Sequence, residues 1–329
     1  MKAFAITGLK ETGFVEKDER PVGAGEVRLK VDYVGFCGSD LNTYRGLNPL
    51  VKLPRVPGHE ISATIVEIGA GVPDAWKVGQ HVAVSPYTNC GMCTIVCEAR
   101  QCIEETDTLL KTAEESEPIA GVVGWLPIAA DDFGDLLDEY LAAKSAEGSE
   151  KGGLVGLRHV VQDEPDDAFI LRPDFMRGVR RMRGTGLVYD ILVFQRQLAN
   201  AIRFVDGQAD DQQFVLDHVG KPMPGREGEW AELVREMAKR ENVACKFSGV
   251  VTEVGTGFDS VRRVFDTVLE AFGPSRLMWG SDWPVVTAKM AYREWKSAVD
   301  GLVAPLSESE RQAILGANAA RVYGLECVE

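Results

Sequence analysis

One repeating pattern constrains the fold of this 329-residue chain more than any other feature. From about residue 94 to residue 325, short apolar runs alternate with segments of helix-forming residues, which is typical of parallel sheets whose strands are joined by helices. Seven such runs begin near residues 95, 119, 154, 187, 214, 243 and 276. They predict an α/β fold, a TIM-like (β/α) barrel that is one strand short of the usual eight.

In the first part of the chain, apolar residues recur with a different spacing. Residues 26–36, 61–68 and 78–84 carry the patterning of short half-buried strands, with apolar and polar side chains in alternation. Gly and Pro separate these runs, so we expect a small all-β barrel before the larger one. The change of period near residues 92–95 predicts two domains, residues 1–93 and residues 94–329.

Charge and hydropathy argue against two classes of partner. Asp and Glu number 50 against 36 Lys and Arg, so the net charge is −14 and we expect no nucleic-acid partner. No run approaches the length of about 18 apolar residues needed for a membrane span. The N-terminus lacks the apolar segment of a signal peptide, which favours a cytoplasmic protein. An incomplete barrel has two unpaired edges, which would favour a homo-oligomer.

Polar residues end several of the predicted barrel strands. His218 ends the run FVLDH, and Asp282 ends the run LMWGSD. Because active sites of this fold lie at the carboxyl ends of the strands, these two side chains are candidates for activating water, with or without a metal. The alternative is structural: His218 would be a hydrogen-bonded core histidine, and Asp282 would cap a helix.

Residues 95–325 resemble the lactonase branch of the amidohydrolase superfamily, the L-fuconolactonase-like proteins. The matching stretches, in the family's order, are EARQCIEET, IAGVVGW, GLRHVVQDEPDD, FVLDHVGKP, CKFSGVVTE and FGPSRLMWGSDWPV. The resemblance implies a distorted TIM barrel that hydrolyses a sugar-acid lactone, a small-molecule partner. It implies that Asp282 deprotonates the attacking water with His218 beside it. Arg100, Arg158 and Trp283 are expected to contact the lactone; for the arginines, ion pairing away from the substrate is the alternative.

The chain departs from that family at the first strand. Its four histidines, at 59, 81, 159 and 218, form no His-X-His pair, and EARQ matches the family's second strand. The sequence therefore predicts a barrel that lacks strand one and an activity that is impaired or vestigial. Residues 82–87 (VAVSPY), just before the junction, are a candidate for the missing strand.

Residues 1–93 resemble the GroES-like domain of medium-chain zinc-dependent alcohol and polyol dehydrogenases. The matching motifs are VGFCGSDLNTYRG, PRVPGHE and VEIGAGVPDAWKVGQHVAV. The resemblance implies that Cys37, His59 and Glu60 occupy the catalytic-zinc region, and that Ser39 takes the hydroxyl position of a proton relay. Thiolate and imidazole are suitable zinc ligands.

A second group of possible zinc ligands lies at the junction. Cys90, Cys93, Cys97 and Cys102 have the spacing C-x₂-C-x₃-C-x₄-C, which departs from the structural-zinc loop of the dehydrogenases. The simpler interpretation is that these cysteines include the first half of a structural-zinc site that was truncated at the junction of the two domains.

Three functions remain open at this point. The first is a lactone hydrolase. The second is a zinc-dependent dehydrogenase, which we expect to be inactive because no Gly-x-Gly-x-x-Gly motif, and hence no nicotinamide site, is found. The third is a non-enzymatic zinc-binding module or the relic of a gene fusion.

Overall fold

The computed structural model describes residues 2–35, 38–46, 53–58, 60–74, 76–84, 94–116, 118–146 and 153–325. The chain divides into two compact units, Met1–Thr88 and Asn89–Glu329. The predicted domain boundary after residue 93 adjoins residues 85–93, which lie outside the described residues, and it stays a prediction. Within the described part of the chain, no helix combines the length and the apolar character needed to cross a lipid bilayer.

The first unit consists of antiparallel strands. A hairpin pairs β1 with β2, and a three-stranded sheet has the order β3-β4-β5, with a short helix α1 after β3. The elements are β1 (Lys2–Gly8), β2 (Glu11–Glu16), β3 (Val27–Gly35), α1 (Gly38–Arg45), β4 (Glu60–Ile68) and β5 (His81–Val84). The predicted strand over 78–84 begins only at His81, because Gly79 turns the chain with a φ of 90°.

The second unit is built on one parallel sheet of seven strands, which pair in chain order. Their starts lie within one residue of the predicted positions. The strands are β6 (Thr94–Cys97), β7 (Ile119–Gly124), β8 (Leu154–His159), β9 (Val188–Ile191), β10 (Phe214–Leu216), β11 (Val243–Phe247) and β12 (Leu277–Trp279). Strands β6 and β12 are the two edges, so the predicted barrel without its first strand is confirmed.

Helices follow the strands and cover the outside of the sheet. They are α2 (Ile103–Glu115), α3 (Phe133–Ala146), α4 (Pro173–Arg181), α5 (Leu198–Asp206), α6 (Glu227–Met237), α7 (Val250–Val254), α8 (Phe258–Phe272), α9 (Tyr292–Val303), α10 (Glu308–Gln312) and α11 (Asn318–Val322). A π-helical segment, Ala313–Ala317, joins the last two.

Alternation along the strands separates an outer core from an interior one. The outer core lies between strands and helices and contains Phe214, Phe247 and Trp295. The interior core is formed by one small or branched residue from each of several strands, together with the C-terminal segment that carries Val322 and Tyr323. On the same inward-facing side of the strands, polar residues follow this apolar core towards the carboxyl ends. A functional site is expected at that end.

The hypothesis that residues 82–87 supply the missing barrel strand is wrong for the described residues. Val82, Ala83 and Val84 belong to β5 and pair with Ala63, Ser62 and Ile61 of β4. These residues belong to the three-stranded sheet, and the seven-stranded sheet of the barrel does not include them. Residues 85–87 lie outside the described residues.

Candidate active site

The ends of three neighbouring strands bring His218, Ser248 and Asp282 together. His218 follows β10 with a φ of 50°, and Asp282 follows β12 with a φ of 52°. Left-handed backbone is unfavourable for residues with a side chain and is concentrated at functional sites, where the surrounding structure maintains it. Gly249, next to Ser248, has a φ of 66°, and a Cβ there would lie 3.0 Å from the His218 ring. A glycine at 249 is therefore needed for this approach.

His218 presents one edge of its ring to protein and leaves the other open. Its Nδ1 lies 2.8 Å from Ser248 Oγ and 3.7 Å from Asp282 Oδ1. Its Nε2 has no hydrogen-bond partner within the described residues, and 15% of the side chain is exposed. Burial lowers the pKa of His218 to about 3, although Asp217 opposes that shift. The ring is therefore neutral at pH 7, with one nitrogen available to a ligand.

Asp282 is a buried carboxyl group with few partners. Its side chain is 10% exposed, and Thr252 Oγ1 lies 3.5 Å from Oδ2, a long contact. Burial, together with the charges of Asp217 and Glu253, raises the pKa of Asp282 to about 7 against the opposing effects of Lys221 and Arg158. A carboxylate with a pKa near neutrality can both accept and return a proton, as a general base must.

Ser248, His218 and Asp282 do not form a nucleophilic triad. In a triad the serine and the carboxylate bind opposite nitrogens of the imidazole. Here both Ser248 Oγ and Asp282 Oδ1 face Nδ1. The arrangement therefore suits activation of a water molecule by Asp282 better than attack by the Ser248 hydroxyl.

Arg158, near the end of β8, lies between two acidic residues, Glu98 and Asp217. Its Nε is 2.9 Å from Glu98 Oε1, its Nη1 is 2.9 Å from Asp217 Oδ2, and its Nη2 donates to the Glu98 carbonyl oxygen. The Arg158 side chain is 10% exposed. These contacts match the ion-pairing alternative for Arg158, since most of its donors are taken by protein oxygens. Contact with a lactone stays a prediction.

A second buried cation, Lys246, lies beside Arg158. Together with Glu98, Asp190 and Asp217, the two cations form what we call the charged layer. Its Nζ lies 2.8 Å from Asp190 Oδ2 and 2.5 Å from Asp217 Oδ1. Tyr323 donates its hydroxyl to Asp190 at 2.8 Å. Burial raises the pKa of Asp190, whereas Lys246 and Arg158 outweigh burial at Asp217 and hold its pKa below the ordinary value. The layer supports the strand end that carries His218.

This layer was missed by sequence reasoning. The available signal is a single charged residue inside an otherwise apolar strand, as in VYDI, FVLD and VACKF. Such a residue is equally compatible with a solvent-facing position, so the signal alone does not predict an interior ion pair.

His159 ends β8 but has no free nitrogen. Trp125 Nε1 donates to its Nδ1 at 3.1 Å, and its Nε2 lies 2.7 Å from Glu164 Oε1. Because Nδ1 accepts, Nε2 carries the proton and donates to Glu164. Burial lowers the pKa of His159, which agrees with a neutral ring. The ring also stacks on Phe169 at 5.0 Å, so His159 is a structural histidine.

The other two predicted substrate contacts lie in different surroundings. Arg100 is exposed just after β6, and its backbone N–H donates to Glu105 Oε2 at 2.6 Å. Trp283 is half-buried, packs against the outer core and adjoins Asp282. Their contacts with a lactone stay predictions.

The predicted zinc ligands are only partly described. Cys37, His59, Cys90 and Cys93 lie outside the described residues, and Glu60 begins β4 without a described side chain. Cys97 and Cys102 are free thiols. Burial raises the pKa of Cys97, whose Sγ lies 3.9 Å from Lys246 Nζ, so the thiol is protonated rather than a ready zinc ligand.

The barrel does not provide a complete zinc site among its described residues. No group of three or more His, Cys, Asp or Glu side chains is placed there to hold a metal. Catalytic zinc commonly has three protein ligands, and His218 with Asp282 supplies two potential donors. The described donors of the barrel therefore do not fit a catalytic zinc ion.

The barrel resembles known amidohydrolases in sequence and fold. The amidohydrolase family profile matches residues 91–325. An L-fucono-1,5-lactonase from Burkholderia multivorans is 37% identical over 248 residues, which are 70% of this chain and 80% of the lactonase. The crystal structure of a B. multivorans amidohydrolase with bound HEPES has 38% identity and a TM-score of 0.64, over 71% of this chain and 84% of that one. A structure from the same organism with bound zinc gives a TM-score of 0.63 over the same shares, also at 38% identity.

The first unit has different relatives. A profile of the alcohol dehydrogenase GroES-like domain matches residues 23–144, which overlaps the amidohydrolase match. The starvation-sensing protein RspB of Escherichia coli is 46% identical over 93 residues, 28% of this chain and 27% of RspB. We assign residues 94–144 to the barrel, because β6, β7 and α3 are part of the seven-stranded unit. Over residues 91–325, the chain belongs to the amidohydrolase family.

Proposed function

We propose that the barrel hydrolyses a sugar-acid lactone of the L-fucono-1,5-lactone type. One observation carries the proposal: a buried carboxyl group whose pKa is about 7 lies 3.7 Å from a neutral histidine at the carboxyl ends of the strands. The 37% identity to an L-fucono-1,5-lactonase supports this class of substrate.

In the proposed reaction, Asp282 accepts a proton from water while the water oxygen bonds to the lactone carbonyl carbon. His218 contacts the carbonyl oxygen through Nε2, where negative charge develops. The tetrahedral intermediate collapses with cleavage of the bond between that carbon and the ring oxygen. Asp282 returns its proton to the ring oxygen, and the product is an open-chain hydroxy acid. Atoms and protons balance without another reactant.

The absence of a His-X-His pair limits this mechanism to acid–base and hydrogen-bonding groups. General acid–base catalysis contributes about 10²–10⁴-fold to a rate, less than a complete metal-assisted site provides. We therefore propose a slow lactonase rather than an efficient one.

The proposal is tested with the purified full-length chain and a set of aldonolactones in a pH-indicator assay. Support requires proton release above the spontaneous rate, saturation with lactone concentration, and a preference among the lactones. Release that never exceeds the blank, with protein that is folded by circular dichroism, would overturn the proposal.

The pH dependence of the activity follows from Asp282. Because its pKa is about 7 and only the carboxylate is a base, kcat should rise about tenfold per pH unit at low pH and level off above pH 7. His218, with a pKa of about 3, stays neutral throughout and adds no second transition between pH 5 and 8.5. Initial rates corrected for spontaneous hydrolysis measure this; a flat profile would contradict it.

The dehydrogenase-like unit supports no second catalytic proposal. It matches about a quarter of the length of its curated relatives, such as 27% of RspB. The zinc-binding-module alternative is tested on the same preparation by metal analysis. Bound zinc in a soluble protein without hydrolysis would favour the module, and persistent insolubility of the full chain would favour a gene-fusion relic.

A further inference from the structure

Ser248 is held against His218 by its surroundings. It follows β11, is 1% exposed, and its Oγ lies 2.8 Å from His218 Nδ1. Just after the next strand, β12, a Cβ at Gly280 would lie 2.9 Å from Ser248 Cβ, so the serine occupies the space that this glycine leaves. Gly249 permits the close approach of the His218 ring on the other side. The Ser248 hydroxyl is therefore enclosed between the strand ends and lies against the His218 ring.

The direction of this hydrogen bond follows from burial. Within the described residues, His218 Nδ1 is the only hydrogen-bond partner of Ser248 Oγ. A buried hydroxyl that did not donate would leave its hydrogen unsatisfied, which costs about 1–3 kcal/mol. If the hydroxyl donates, Nδ1 must carry a lone pair, and a neutral imidazole then has its hydrogen on Nε2.

We propose that Ser248 is a positioning residue that fixes the Nε2–H tautomer of His218, so that this N–H donates to the carbonyl oxygen of the lactone. The inference rests on the proposed function for its catalytic consequence, but the tautomer itself is a property of the resting protein. With this tautomer the two side chains have different roles: Asp282 is the base, and His218 is the hydrogen-bond donor.

Loss of the Ser248 hydroxyl would allow the opposite tautomer. Asp282 Oδ1 lies 3.7 Å from Nδ1, and an ionised carboxylate attracts a proton at the nearer nitrogen. A hydrogen on Nδ1 leaves a lone pair on Nε2, which faces the developing negative charge of the substrate oxygen and cannot stabilise it. Ser248→Ala should therefore affect the chemical step more than the binding of lactone.

The direct test is ¹⁵N NMR of the histidine side chains in the full-length protein at pH 7.5. The chain has four histidines, and His218→Gln identifies the signals of His218 by their loss. We expect an unprotonated Nδ1 and a protonated Nε2 in the unsubstituted protein. In Ser248→Ala we expect the Nδ1–H tautomer to predominate, because the Asp282 carboxylate then faces Nδ1 without the competing hydroxyl. The Nδ1–H tautomer in the unsubstituted protein would overturn the proposal, whatever the variants do.

The kinetic test compares three variants. Ser248→Ala should lower kcat roughly ten- to a hundredfold with KM changed less than about threefold, since a donor to the oxyanion is lost from most of the population. Ser248→Thr keeps the hydroxyl and should restore the tautomer. Ser260→Ala, at a half-buried position of α8 whose hydroxyl accepts from Arg263 Nη2 at 3.0 Å, is the control away from the site and should change neither readout. A Ser248→Ala variant with the unsubstituted tautomer and unchanged kcat would refute the role of Ser248.

The two proposals fail in different ways. An inactive unsubstituted protein would refute the lactonase proposal, yet its NMR spectrum would still decide the tautomer. An active protein with the Nδ1–H tautomer would retain the lactonase proposal and reject Ser248 as the residue that orients the proton.

Discussion

Asp282→Asn is expected to lower kcat for lactone hydrolysis about a thousandfold, the middle of the range for loss of a general base. The amide is nearly the same size as the carboxyl group but cannot accept a proton from water. Because Asp282 contacts Thr252 only at 3.5 Å and His218 at 3.7 Å, few structural interactions are lost with the charge. KM should therefore change little, and the activity that remains should lose the pH dependence attributed to Asp282. Initial rates over pH 5–8.5 measure both.

The matched control is Asp266→Asn on the exposed face of α8. It removes the same charge from the same unit and should leave kcat within about twofold, because a solvated charge far from the site is screened. If Asp282→Asn retains more than a tenth of the unsubstituted kcat, Asp282 is not the base.

The same substitution should make the barrel more stable at alkaline pH. The folded pKa of Asp282 is raised to about 7, so ionisation costs stability above the pKa of the unfolded chain. That cost is absent at pH 3, grows as pH rises towards 7, and then stays constant. Asp282→Asn removes it, and we expect a gain of about 2–4 kcal/mol at pH 8 but little at pH 4.

Urea unfolding followed by tryptophan fluorescence measures this gain. Five of the six tryptophans, at 125, 230, 279, 283 and 295, belong to the barrel, so the signal reports mainly on that unit. Equal effects of the substitution at pH 4 and pH 8 would show that Asp282 is not destabilised by burial.

The order and the starts of the barrel strands could be predicted from the sequence, but the contacts among charged residues inside the barrel could not. The starts of the barrel strands were predicted to within one residue, because apolar runs bounded by helices are a local signal. His218 and Asp282 were found because each follows such a run. The partners of Arg158 were not, since Glu98 and Asp217 lie 60 and 59 residues away in sequence and meet it only when the sheet curls.

Ser248 illustrates a second limit of prediction. A serine after a strand is an ordinary turn residue in sequence, and its importance depends on one distance to His218 and on two glycines that allow it. The donor direction then follows from burial, which no local pattern reports. Spacing along the chain can thus identify the reactive groups, whereas the residues that orient them require the three-dimensional structure.

Lys246→Met is expected to destabilise the barrel by about 3–5 kcal/mol at pH 8, the usual cost of removing one partner of a buried ion pair. The methionine fills most of the volume, so the loss is mainly electrostatic. Asp190 and Asp217 are both fully buried, and Lys246 contacts both within 2.8 Å. Without it, Arg158 still neutralises Asp217, but among the described residues Asp190 keeps only the hydroxyl of Tyr323.

The pH dependence of this loss separates an electrostatic cause from a packing cause. Burial already raises the pKa of Asp190, and removal of Lys246 raises it further. A carboxyl group with a raised folded pKa destabilises the protein only when the pH is high enough to ionise it, so Lys246→Met should cost less at pH 5 than at pH 8. A defect in packing would cost the same at both.

A double substitution completes the test. Adding Asp190→Asn to Lys246→Met removes the unpaired charge and should recover at least about 1 kcal/mol at pH 8, because a neutral amide is cheaper to bury than a carboxylate. Lys239→Met, which removes a lysine that is 70% exposed and paired with Glu236, should cost less than about 1 kcal/mol. If Lys246→Met costs no more than this surface control, the charged layer does not stabilise the barrel, and the support it gives to the strand end that carries His218 must come from packing alone.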